Sequence, residues 1–462
     1  MKRTRTYEMD MCSGPILSKV LVFAVPLMLT SVLQLLFNAA DIVVVGRYAG
    51  PTALAAVGST GSLINLIVNV LMGMSIGTSV LVARYYGANS HRDVRETVHT
   101  SIAISFFGGI AFGLAGMLIC KPMLRLMSTP EDVIDQASLY MRIYFAGLPV
   151  IAVYNFGSAV LRAVGDTRRP MYFLTLAGVV NVLLNLLCVI VLKMGVAGVA
   201  LPTVLSQAVA ASLVVWCLRR SDGSIHLEFR QVRVYGGKMR EIVKIGLPAG
   251  IQGSVFSISN VVIQSSINSF GSTVMAANSA AGNLEGFVYV IMNSFYQAAL
   301  TFTSQNLGAR KPERIRRILF CCVGLVTAFG LALGLGVYSA GGTLLTIYST
   351  DPAVIKWGLI RLSLVCAPYF ICGIMDTMVG MMRGLGYSIA PMIVSMVGVV
   401  GVRLGWIYTI FSTAAATQPA ETALASLYWS YPVSWAVTAA VHMGCFIVAY
   451  RKIMRERRAL PQ

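Results

Sequence analysis

Apolar runs long enough to cross a bilayer alternate with short basic or Gly/Pro-rich breaks along almost the whole chain. A membrane helix takes about 20 apolar residues. Read this way, the sequence predicts twelve helices, at roughly 17–45, 52–83, 95–120, 136–161, 170–193, 196–218, 242–268, 273–305, 314–340, 354–382, 390–412 and 422–450. The first follows a short segment carrying Lys2, Arg3 and Arg5. It is too long for a signal peptide and shows no obvious cleavage site, so it is expected to be a retained helix. Composition agrees: of 462 residues 56% are hydrophobic and 12% charged, with mean hydropathy +0.75, whereas a soluble domain is about a quarter charged.

Charge then orients the spans. The net charge of +18 comes from basic clusters between apolar runs, a pattern suited to an anionic lipid surface rather than to nucleic acid. With the N-terminus inside, the clusters at 84–95, 162–169, 219–244, 310–317, 383 and 451–458 share one side, and about 28 of the 36 Lys and Arg face the cytoplasm. Arg47, Lys121, Arg125, Lys193 and Lys356 remain opposite. The sequence thus predicts a multi-pass cell-membrane protein with both termini cytoplasmic. The polar stretch 221–240 divides an N-lobe, 1–220, from a C-lobe, 241–462, that ends in a basic tail.

The halves are related. Leu161-Arg162-Ala163-Val164-Gly165 through Pro170-Met171 matches Met382-Arg383-Gly384-Leu385-Gly386 through Pro391-Met392, an offset of 221 (162 and 383). Thr52, Ala55, Ala56 and Gly61 recur as Thr273, Ala276, Ala277 and Gly282, and Gly87-Ala88 recurs as Gly308-Ala309. An even number of spans per half makes this a parallel repeat, the arrangement used for alternating access around a central cavity.

Charges within spans are costly, by about 2.5–3.5 kcal/mol on insertion scales, and mark candidate sites. Four stand out: Asp41, Glu285, Asp376 and Arg403. Gln34, Asn38 and Asp41 lie on one face of the first helix, and Asn181 and Asn185 share a face of the fifth. A carboxylate among amide oxygens suits a proton or a hard cation such as sodium; a buried polar network that joins helices is the alternative. Pro26 offers that first helix a bend.

In the second half Asn260, Gln264 and Asn268 form a stripe without an acid. Glu285 and Asp376 either attract a cationic substrate or pair with Arg403, and Asn155 is a further cavity candidate. His442 reads as a satisfied core histidine, while Met72, Met74, Phe295 and Tyr296 serve packing, lipid contact or an adaptable pocket. The nine cysteines have no zinc spacing, and no nucleotide, nucleophile-elbow or zinc-protease motif occurs, so no enzyme and no cofactor is expected.

With Pro26, the Asp41-to-Gly50 segment, Gly87-Ala88 and Gly308-Ala309, the Leu161-to-Thr167 turn and the Arg383-Gly384-Leu385-Gly386 turn, essentially the whole chain resembles the multidrug and toxic compound extrusion (MATE) transporters. The resemblance implies an all-α membrane protein of 12 transmembrane helices in two pseudo-symmetric six-helix lobes forming a V. It also implies export of drugs, organic cations or other amphipathic metabolites in exchange for H+ or Na+, by a chain able to work as a monomer. A flippase for a lipid-linked precursor in the same superfamily is the alternative. By position, Asp41 matches the family's N-lobe cation-site acid and Asn181 its helix 5 partner, with Thr203 beside them. Asn185 stands where the proton-coupled branch often has a second Asp, and residues 252–268 lack the helix 7 acid of the sodium-coupled branch.

Overall fold

A computed structural model describes residues 7–127 and 129–459; Lys2, Arg3 and Arg5 therefore lie outside the described residues. Among the described residues the regular structure is helical throughout: α1 (Ile16–Val44), α2 (Pro51–Gly87), α3 (His91–Leu126), α4 (Glu131–Ala146), α5 (Leu148–Ala163), α6 (Arg168–Asn185), α7 (Ala197–Arg220), α8 (Gly236–Asn268), α9 (Ser272–Gly308), α10 (Pro312–Ser339), α11 (Gly341–Thr346), α12 (Pro352–Arg361), α13 (Phe370–Gly384), α14 (Ile389–Ser395), α15 (Val402–Trp406), α16 (Ser412–Thr417) and α17 (Ala420–Ala459).

Among the described residues, ten stretches are long and apolar enough to span a bilayer. The expected helix at 136–161 is an eleventh, broken into α4 and α5 with a 47° bend. The break falls at Gly147, followed by Leu148-Pro149; proline cannot donate the helical hydrogen bond. The twelfth is α9, whose 37 residues reach across a bilayer but carry many Asn, Gln and Ser and a glutamate, which lowers its hydropathy. Two expected spans are internally irregular. α12 and α13 are joined by a π-helical turn at Leu362–Cys366 and a 3₁₀ turn at Ala367–Tyr369, and α14 to α16 are interrupted by π-helical turns at Met396–Gly401 and Ile407–Phe411.

The chain forms two contact units, one of Met1–Met11 and Leu29–Gly253, the other of Cys12–Met28 and Ser254–Gln462. The division falls inside α1 and α8. In the first unit the 221–240 stretch docks on α3: Glu228 N–H donates to His99 Nε2 at 3.1 Å, Tyr235 N–H to Thr100 Oγ1 at 3.2 Å, and Lys238 pairs with Asp93 at 2.6 Å.

The repeat is visible in the backbone. Positive φ angles occur at Gly50 and Gly271 (91° and 94°), Asn89 and Arg310 (55° and 56°), and Gly165 and Gly386 (91° and 96°), each pair 221 residues apart. Left-handed φ is easy for glycine and tolerated by asparagine, so Arg310 carries the strain of keeping the shared turn.

Glycine spacing also repeats. A Cβ on Gly109 or Gly113 would lie 2.5 Å from Pro149 Cα or Phe145 O; at the same offset, one on Gly330 or Gly334 would meet Phe370 Cβ at 2.8 Å or Cys366 O at 2.4 Å. In the first unit, Gly73 and Gly77 of α2 face Gly246 and Gly250 of α8, with Cβ approaches of 2.2–2.8 Å to backbone atoms. These are small-xxx-small seams, which let membrane helices pack backbone to backbone where lipid removes the hydrophobic drive.

Candidate functional site

In the first unit α1, α6 and α7 form a half-open cleft lined by Gln34, Phe37, Asn38, Asp41, Leu174, Ala177, Gly178, Asn181, Thr203, Ser206 and Gln207. Gln34, Asn38 and Asp41 of α1 thus share this lining with Asn181 of α6 and Thr203 of α7. Gly178 permits the approach: a Cβ there would sit 1.8 Å from the Phe37 ring.

The Asn185 side-chain N–H₂ donates to Asp41 Oδ1 and, at 3.2 Å, to Asn181 Oδ1. Both asparagines are buried, and Asn185 Oδ1 has no hydrogen-bond partner among the described residues. A buried acceptor without a donor calls for an ion or water. Immediately after Asn185 the helix opens into a π-helical turn, Leu186–Val191, an irregularity often found at functional sites. Thr203 lines the same cleft and donates its hydroxyl to Val199 O at 2.9 Å, so the oxygen keeps its acceptor capacity. The oxygens gathered here, one carboxylate, two amides and a hydroxyl, suit a proton or a hard cation. Asn155 is not part of this cleft lining; it donates to Ile151 O of its own helix at 2.8 Å.

The second unit holds a different arrangement. Glu285 does not pair with Arg403. It forms a two-pronged ion pair with Arg361, both contacts 2.8 Å, with side chains only 6% and 9% exposed. Arg361 also donates to Asn278 Oδ1 at 2.5 Å, Tyr428 donates to the same oxygen at 3.3 Å, and Asn278 donates to Gln264 at 2.8 Å, which donates to Asn268 at 2.8 Å. The α8 stripe thus continues into a buried network. Asn260 is exposed.

Arg361, the centre of this network, was not among the expected charged positions. Its place near the start of a predicted span was the available signal. Arg403 instead donates Nε to Ser434 Oγ at 3.0 Å and lies over the rings of Tyr431 and Trp435, 4.3 and 5.7 Å from their centroids. Asp376 is half-buried and takes no hydrogen bond or ion pair among the described residues. His442 is fully buried and shares a 3.1 Å hydrogen bond with Ser395 through Nε2. Phe295 is core, 5.3 Å from Phe329, and Tyr296 accepts from Arg383 at 2.7 Å.

Twelve spans, an internal repeat and a polar cleft between helices define a membrane transporter rather than an enzyme. The MatE family profile matches residues 26–187 and 248–409, one copy in each half, and the chain belongs to this family. It is 26% identical over 441 residues, 93% of each chain, to Probable multidrug resistance protein YoeA of Bacillus subtilis. It is 24% identical to the FAD transporter of Shewanella oneidensis, covering 75% of this chain and 77% of that one. The solved structure of a MOP superfamily transporter from Pyrococcus furiosus superposes with a TM-score of 0.90 at 20% identity, covering 98% of this chain and all of that one.

Proposed function

We propose that this protein is a cation-coupled antiporter of the cell membrane, with both termini cytoplasmic, that exports amphipathic compounds, organic cations among them, by alternating access. The observation that carries the reading is the Asp41–Asn185–Asn181 cluster, a carboxylate in a span beside a buried amide oxygen with no donor among the described residues. An acid inside a span is functional by default, and one that meets amides rather than a basic residue is free to exchange its proton or a sodium ion with the cleft. Binding there neutralises Asp41, which lowers the cost of moving the surrounding helices relative to lipid; release restores the charge and draws the next ion. Relatives named for multidrug resistance support the substrate class, and the relative named FAD transporter extends it to metabolites.

The flippase alternative requires a cavity rich in cationic side chains. Arg361 is spent on Glu285, leaving Arg403 with little company.

The reading is tested in vesicles holding the purified protein and loaded with a fluorescent organic cation, to which proton and sodium gradients are applied in turn. Dye movement driven by one gradient names the coupling ion. Movement of a lipid-linked probe without either gradient transfers the assignment to a flippase.

A further inference from the structure

The stretch that joins α7 to α8 is fixed to the first unit on one side and bare on the other. Ile225 and Leu227 are 0% and 1% exposed within that unit's core, and the Glu228 and Tyr235 N–H groups donate to His99 and Thr100 of α3. What faces outward is basic and aromatic. Trp216 and Phe229 are 52% and 55% exposed, and Arg219, Arg220, Arg230 and Arg233 are exposed as well.

Rings and guanidinium groups meet at the end of a span. α7 closes at Arg220. The Arg220 guanidinium lies 4.9 Å from the centroid of Trp216, one turn earlier, and that of Arg219 lies 4.7 Å from the centroid of Phe229, which the stretch carries back to the helix end. A bare aromatic ring beside an arginine at a span end suits the layer between acyl chains and headgroups.

None of the four arginines has a carboxylate within 4 Å among the described residues. Residues 219–240 carry six Lys and Arg against Asp222 and Glu228, and the Glu228 carboxylate accepts from Gln231. Basic residues near other span ends are spent on the protein. Arg169 pairs with Asp166, and Lys311 and Arg314 donate to the backbone carbonyls of Cys12, Ser13 and Gly14. The anion of complementary charge at the level of the α7 end is a phospholipid headgroup.

We propose that this surface is a docking site for anionic phospholipid. Arg219, Arg220, Arg230 and Arg233 hold the headgroup phosphates with paired N–H donors, and Trp216 and Phe229 seat where the acyl chains begin. The site shares no residue with the Asp41 cleft and does not rest on the export reading.

Native mass spectrometry of the purified full chain in a neutral detergent measures the affinity for the first lipid bound, with phosphatidylglycerol and phosphatidylcholine of the same acyl chains. Wild type should bind phosphatidylglycerol at least about tenfold more tightly. Combined Arg219→Gln, Arg230→Gln and Arg233→Gln should erase that preference, each arginine contributing up to about fivefold. Combined Arg451→Gln, Lys452→Gln and Arg455→Gln, which strips as many exposed charges from the end of α17, should leave it within about twofold. Phe229→Ala should weaken both lipids alike.

No preference in wild type, a preference that survives the first triple variant, or binding unchanged by Phe229→Ala overturns the assignment. An equal loss in the second triple variant assigns the effect to the general positive charge of the chain and overturns it too. Displacement of the lipid by equimolar glycerophosphoglycerol, the same headgroup without chains, would assign a site for soluble phosphate esters and overturn it likewise. If the first triple variant yields no folded protein, Arg230→Gln alone decides: a preference reduced by about fivefold supports the site, and an unchanged one removes it.

Discussion

Breaking the Glu285–Arg361 pair should be far more damaging than deleting it. Glu285→Ala leaves a guanidinium that is 9% exposed without its carboxylate, a change that costs about 3–5 kcal/mol for a buried pair. The Asn278 contact at 2.5 Å and the rings of Tyr428 and Tyr431, 5.4 and 5.5 Å away, remain. Such rings offset up to about 2 kcal/mol, so the lower end, about 3 kcal/mol, is expected, a factor above 100 in the folding equilibrium at about 1.4 kcal/mol per decade.

Glu285→Leu combined with Arg361→Met removes both charges and keeps the volume, and should recover most of the loss. Unfolding in a denaturing detergent series, followed by tryptophan fluorescence, gives the midpoints for wild type, both single variants and the pair. A Glu285→Ala midpoint equal to wild type, or a double variant no better than the singles, would refute the view that this pair is a closed structural unit.

Gly73→Leu or Gly246→Leu should abolish folded protein, because the added side chain enters backbone at 2.2–2.6 Å, whereas Gly324→Ala, with open space around it, should be neutral or stabilising by up to about 1 kcal/mol; yield of monodisperse protein on size exclusion reads both. Asn185→Leu removes a hydrogen bond to the Asp41 carboxylate, worth about 1.5–3 kcal/mol, and should shift the driving-ion concentration for half-maximal transport by about tenfold, downward if the ion is a proton, because the charged carboxylate loses a donor, and upward if it is sodium, because the ion loses an amide oxygen, with the fold intact by thermal melt. Gly178→Ala should push the Phe37 ring into the cleft and depress substrate transport while leaving expression near wild type.

The spans, the repeat and the shared face of Asn181 and Asn185 were legible in the sequence because each depends on local spacing: apolar run length, the 221-residue offset and the i, i+4 period; that this face lies beside Asp41, 144 residues from Asn185, was implied only by the family resemblance. The partner of Glu285 was not. Arg361 lies 76 residues away, and which arginine reaches the acid depends on helix rotation and on the π-helical turn after Arg361, neither of which apolar periodicity encodes. The glycine seams at Gly73/Gly77 and Gly246/Gly250 were present as spacing but gain meaning only when the facing backbone is known. The bend at Gly147 had a visible cause in Pro149, masked by an apolar run continuous enough to read as one helix.

The central claim is that Asp41 exchanges the coupling ion. It is tested most directly by measuring ion movement rather than substrate movement: vesicles holding wild type or Asp41→Asn are given a substrate gradient, and the opposing flux of protons or sodium is recorded with an internal indicator. Substrate should drive one of these ions uphill through wild type and neither through Asp41→Asn, although the variant still binds substrate. Coupled ion flux that persists in Asp41→Asn would contradict the account.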